Sequence, residues 1–162
     1  MNFQQPDRHH LAQLNVGRAL DDLTSARLAD FVGALNRVNA VAERSPGFVW
    51  RLKGDDGSNA MDVRVGSDPR VIVNLSVWET PEDLEHFVWN TIHKRVYEKK
   101  SKWFDVLPEA HFAMWWIEVG ERPTPKQAME RLQHLREHGP SSYAFGWESL
   151  PNIRLWMSQR CA

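Results

Sequence analysis

The stretch Val71–Trp78 constrains the fold of this chain more than any other. Val71, Val73, Leu75 and Val77 alternate with Ile72, Asn74, Ser76 and Trp78. A period of two is the spacing of a β-strand, so the first four side chains share one face and the last four the other. Three more segments alternate in the same way: residues 10–16, 48–53 and 111–119. The last contains Trp115 and Trp116, which as strand neighbours must point to opposite faces. Residues 61–65 form a shorter alternating piece after a turn-rich run, and read as a hairpin extension.

Helical patterns separate the strands. Leu28, Phe31, Val32, Leu35, Val38 and Ala42 form one apolar stripe, closed by Ser45-Pro46-Gly47. Thr80-Pro81-Glu82-Asp83 is a helix start, with a Thr N-cap, Pro in the first turn and acidic residues at the positive end of the helix dipole. Leu84, Phe87, Val88 and Ile92 carry its core stripe, and the pattern runs on towards Leu107 before Pro108. A last helix opens at Pro125 and stops before Gly139-Pro140. Tyr143–Glu148 is weakly strand-like. The order is strand, helix, strand twice over, plus a C-terminal helix. That predicts an α+β chain: a ferredoxin-like βαββαβ sandwich with an additional C-terminal helix. Residues 1–9 read as a flexible leader, 10–142 as the domain and 143–162 as a C-terminal tail.

Both helices of such a unit cover one face of the sheet. The other face is expected to carry Ile72, Asn74, Ser76 and Trp78, an apolar patch too large to leave in water. A second copy of the chain would cover it and enclose a cavity, so a homodimer is expected. Gln13 and Asn15 join Asn74, Ser76 and Trp78 on that face, and amide and indole donors in an apolar cavity suit a small hydrophobic or aromatic ligand. The alternative is structural: Asn74 bonds a neighbouring strand and Trp78 fills core.

Composition narrows the field. The 20 Lys and Arg balance 21 Asp and Glu among 162 residues, without the basic surplus of a nucleic-acid binder. No apolar run approaches the ~20 residues of a membrane span. The polar first residues and the single cysteine, Cys161, lead us to expect a cytoplasmic location, with no intrachain disulfide. Phosphate-loop, dinucleotide and nucleophile-elbow motifs are absent.

Four segments together carry a family resemblance: His10-Leu-Ala-Gln-Leu-Asn-Val16, Ser45-Pro-Gly-Phe-Val-Trp-Arg51, Asn74-Leu-Ser-Val-Trp-Glu79 and His111-Phe-Ala-Met-Trp-Trp116. The chain resembles the domain-of-unknown-function family numbered 3291, which is similar to the dimeric α+β barrel superfamily. That superfamily includes antibiotic-biosynthesis monooxygenases working without a cofactor, and haem-degrading oxygenases. The resemblance implies a dimeric barrel and, for the function, a monooxygenase acting on an aromatic or polyketide-like substrate. In the related monooxygenases an Asn and a Trp help to bind or activate a phenolic substrate. Asn74 and Trp78 are the residues here that could do so, with Gln13, Asn15 and Ser76 as substrate contacts. A non-catalytic ligand-binding or structural homodimer is the alternative.

Trp89, His93 and Tyr97 follow at intervals of four and share one helix face, with His86 seven residues before His93. His93 is the candidate proton carrier, and Trp89 and Tyr97 are candidate substrate contacts. The other reading of the stripe is packing against a dimer partner. Haem is a subsidiary alternative: the relatives' helix histidine falls, by counting, nearer Tyr97 than His93. His134 and His138 have the spacing that lets two imidazoles share a metal, but no third ligand is nominated, so no metal is expected.

Overall fold

The computed structural model describes residues 3–22, 24–54, 66–90, 103, 109–151 and 153. Its strands are β1 (His9–Arg18), β2 (Phe48–Arg51), β3 (Val71–Trp78) and β4 (Phe112–Glu118), and its main helices are α1 (Ala26–Glu43), α2 (Pro81–Asn90) and α3 (Pro125–His138). A short 3-10 turn follows at Trp147–Ser149. The sheet order is β2-β3-β1-β4 with every neighbouring pair antiparallel. β1 and β2 are therefore parallel, as are β3 and β4, and each pair is joined through a helix. This is the ferredoxin-like α+β arrangement, extended by a C-terminal helix. The hairpin extension at 61–65 and the helix beyond Asn90 fall outside the described residues. Among the described residues no helix is long and apolar enough to cross a membrane.

Local chemistry sets the helix ends. Thr80 Oγ1 accepts the Asp83 N–H at 3.2 Å and donates to the Asp83 carboxylate at 2.8 Å, starting α2 at Pro81. Thr124 and Gln127 form a reciprocal capping box around the start of α3, and Gly139 ends that helix at a φ of 76°. The turn between α1 and β2 needs Gly47: its φ is 81°, and a Cβ there would collide with Asp83.

Both faces of the sheet are covered by this chain. On one, Ala12, Leu14 and Val16 of β1, Val73, Leu75 and Val77 of β3, and Ala113, Trp115 and Ile117 of β4 pack against Ala128 and Leu132 of α3. On the other, Leu11, Trp78 and Met114 pack against Val38 and Ala42 of α1, Leu84 and Phe87 of α2, and Phe145, Leu150 and Ile153 beyond α3. Trp115 thus lies beneath α3, while Trp116 sits on the opposite face against Phe145. The weak strand signal at 143–148 becomes one bridge, Met114 to Phe145.

This layering corrects one expectation. The face carrying Ile72, Asn74, Ser76 and Trp78 does not point away from the helices. Ile72 packs with Leu28 and Phe31 of α1, and Trp78 stacks on Phe87 of α2. The valine face is roofed instead by α3, so no second copy is needed to shelter the other. Alternation says which side chains share a face. Which face receives the helices is decided by the handedness of the two crossovers.

Leu132 is fully buried beneath the valine face. Leu132→Ala is expected to cost about 2–5 kcal/mol, read as a lower urea midpoint at unchanged slope. A second link ties the end of β1 to the loop before β3: Arg18 Nε donates to Asp68 Oδ2 at 2.7 Å. That bond and the Arg70 N–H hold the Asp68 carboxyl below the usual carboxylate range. Because the folded value is depressed, the link persists above the ordinary Asp range and is lost as pH falls through the lowered value. NMR titration is expected to show Asp68 protonating late, and Arg18→Ala is expected to return it towards the ordinary range.

Candidate functional site

The register of β1 and β3 places Gln13 opposite Ser76 and Asn15 opposite Asn74. Directly opposed residues lie ~5 Å apart, and diagonal ones are within reach of a long side chain. Gln13 uses both distances. Its Nε2 donates to Ser76 Oγ at 2.6 Å and to Asn74 Oδ1 at 2.8 Å. Trp78 Nε1 donates to the same Ser76 oxygen at 2.9 Å. Asn74, Gln13, Ser76 and Trp78 form one hydrogen-bonded chain on the sheet face beneath α1 and α2.

Counting donors and acceptors shows what the chain has left. Both Gln13 Nε2 hydrogens are used. Ser76 Oγ accepts twice, which leaves its single hydroxyl proton to donate. Asn74 Oδ1 accepts from Gln13, and no described residue accepts from the Asn74 N–H groups, which remain to donate. Burial grades along the chain: Trp78 is 1% exposed, Gln13 4% and Ser76 6%, while Asn74 is exposed. The far end is locked, since Trp78 stacks on Phe87 at 5.1 Å and meets Phe48 edge-on at 5.6 Å. A polar strip anchored in core at one end and open at the other can hold a hydrogen-bond donor in a fixed direction.

The remaining candidates are placed as follows. Asn15 is half-buried beside Asn74 in register, with Phe112 of β4 on its other side. Trp89 is buried, near Trp147 at 6.5 Å, and does not join the chain. His93 and Tyr97 lie outside the described residues. His86 is on an exposed part of α2. The His134 and His138 rings lie 4.6 Å apart, and among the described residues no group of three His, Cys, Asp or Glu could hold a metal.

Sequence reasoning missed Phe48 and Phe87, which clamp Trp78. It also missed Phe145, Leu150 and Ile153, which close the same face from beyond α3. Phe87 was visible in the α2 stripe. Phe48 lay in the alternation at 48–53 and Phe145 in the weak strand signal at 143–148, while Leu150 and Ile153 sit in irregular backbone, which carries no periodic signal.

Ser76 is the acceptor for two otherwise unsatisfied buried donors. Ser76→Ala is expected to destabilise the fold by about 2–4 kcal/mol, because each stranded donor costs about 1–3 kcal/mol. Ser76→Thr keeps the hydroxyl and is expected to recover much of that loss. Urea unfolding followed by tryptophan fluorescence measures both.

Comparison with solved structures finds two from Nitrosomonas europaea. One is described as "Putative antibiotic biosynthesis monooxygenase"; it is 13% identical, with 76% of this chain and 100% of that chain covered, and a TM-score of 0.47. The other, the NE2512 protein of unknown function, is 14% identical, with 74% and 98% covered, and a TM-score of 0.44. No curated protein matches the sequence. Residues 10–160 match the family described as Domain of unknown function (DUF3291), and the chain belongs to that family.

Proposed function

We propose that the protein binds a small aromatic, enolisable molecule against Asn74 and oxygenates it without a cofactor. The observation that carries this reading is the Asn74 amide. Its oxygen is pinned by Gln13 at 2.8 Å, no described residue accepts from its nitrogen, and the residue is exposed. A donor whose direction is set before the ligand arrives favours an enolate or phenolate oxygen, since stabilising the anion costs no reorganisation. The Ser76 hydroxyl proton is the second donor on the same strip, and Asn15 opposite Asn74 is the neighbouring contact.

The chemistry asked of the protein is modest. An activated methylene loses a proton, and the resulting carbanion supplies the electrons that reduce dioxygen. In balance, one methylene group and one dioxygen give one carbonyl group and one water. The product keeps one oxygen atom, and the water carries the other together with both methylene hydrogens. The chain's part is to lower the cost of the anion. Trp78 is too deeply buried to touch a ligand and acts as a positioning residue through Ser76. His93, as proton carrier, and Trp89 and Tyr97, as contacts, complete the proposal. A homodimer belongs to it as an expectation of the superfamily resemblance.

A non-catalytic binding role is the second reading, favoured by one observation: Gln13, Ser76 and Trp78 satisfy one another's hydrogen bonds inside the fold. Haem binding through His93 is a third and subsidiary reading.

An oxygen electrode with an anthrone as substrate separates the first two. The proposal expects one dioxygen consumed per anthrone, and a fall of about 10²-fold in kcat/KM for Asn74→Ala with unchanged circular dichroism. Trp78→Phe is expected to lose less. Anthrone binding without oxygen uptake establishes the non-catalytic reading, and an Asn74→Ala rate equal to wild type removes Asn74 from the mechanism.

A further inference from the structure

A second site lies at the outer edge of β4. Met114 and Phe145 exchange backbone hydrogen bonds at 2.8 and 2.9 Å on the side of β4 away from β1. In an antiparallel ladder the next such pair would be two residues along, with the Trp116 N–H donating to the carbonyl of Tyr143. That pair does not form. Arg131 of α3 takes the Tyr143 carbonyl instead, with Nη1 donating at 2.8 Å. Among the described residues no group pairs with the outward N–H and C=O of Trp116.

The interrupted pairing opens a cleft of about 620 Å3 between the β4 edge, α3 and Tyr143. Arg131 lines it. Its guanidinium carbon lies 4.2 Å from the Tyr143 ring centroid and 5.4 Å from that of Trp115. The two rings hold the planar fork in place and strip part of its water, and burial lowers the guanidinium below its ordinary value. Among the described residues no carboxylate lies within ion-pair distance of Arg131, and one of its five N–H groups is committed to Tyr143. Glu118, Glu121 and Glu130 also border the cleft; each is exposed, so water screens its charge more than that of half-buried Arg131, and it weakens the attraction for an anion without cancelling it.

We propose that this cleft binds a small organic carboxylate, with one oxygen on the Trp116 N–H and both oxygens within reach of the Arg131 fork. Arg presents parallel donors matched to the two oxygens of a carboxylate, which Lys does not. The site is distinct from the strip of Gln13, Asn74 and Ser76 and does not depend on the function proposed for it.

Isothermal titration with 3-phenylpropanoate and its uncharged amide tests this. The carboxylate is expected to bind wild type with a millimolar or lower Kd, the amide about tenfold more weakly, and the Trp116 backbone amide to shift in NMR spectra on binding. Arg131→Lys is expected to weaken the carboxylate by about tenfold. Gln127→Glu puts a negative charge at the cleft while preserving the capping box with Thr124. It is expected to weaken binding several-fold, and it carries the test should the Arg131 variant not fold. Equal affinity for acid and amide, no binding at millimolar concentration, a shift confined to residues away from Trp116, or unchanged affinity in Gln127→Glu would overturn the proposal.

Discussion

Everything in this molecule depends on the antiparallel pairing of β1 with β3, which sits at the centre of the sheet and is buried on both sides. A strand pair covered on one face can shift or twist at moderate cost. One covered on both cannot slip by a residue without moving every side chain into the wrong layer. The pairing runs from Leu11 opposite Trp78 to Arg18 opposite Val71, and it sets the position of every residue in the polar strip.

That double burial explains why a polar chain lies inside an otherwise apolar layer. Gln13 and Ser76 stand where unpaired polar groups would be costly, so each must find a partner nearby. The cross-strand spacing supplies it. Only a side chain as long as Gln spans both the direct and the diagonal neighbour, so one amide nitrogen serves Ser76 and Asn74 together. The same arrangement that satisfies the buried end also orients the exposed amide of Asn74, so the stability of the strip and its use as a ligand contact have one origin.

The third layer has consequences of its own. Because α3 occupies the valine face, the segment after it must return across the edge of β4 to reach the opposite side, where Phe145, Leu150 and Ile153 close the core. That crossing makes one bridge to Met114 and then leaves the strand, with Arg131 holding the departing carbonyl of Tyr143. The edge is blunted rather than extended, and the open backbone of Trp116 beside a fixed guanidinium follows from the route of the chain.

Much of this was legible in residue patterns. Period-two alternation located four strands, the 3.6-residue stripes located α1 and α2, and Thr80-Pro81 and Gly139-Pro140 marked ends of helices within a residue or so. The grouping of Gln13, Asn15, Asn74, Ser76 and Trp78 on one face was equally readable, because alternation is a local property of an extended backbone. What alternation lacks is any reference to the rest of the molecule. Each face of β1 and β3 carries large apolar residues, the polar strip sharing its face with Leu11, Ile72 and Trp78, and alternation alone does not say which of the two lies under α1 and α2 and which under α3. The crossovers and the path beyond α3 settled that, turning an expected dimer surface into the inside of a single chain. The sequence determined which side chains stand together; only the tertiary structure decided what lies above them, because that choice is made by long-range chain chirality and packing rather than by any run of neighbouring residues.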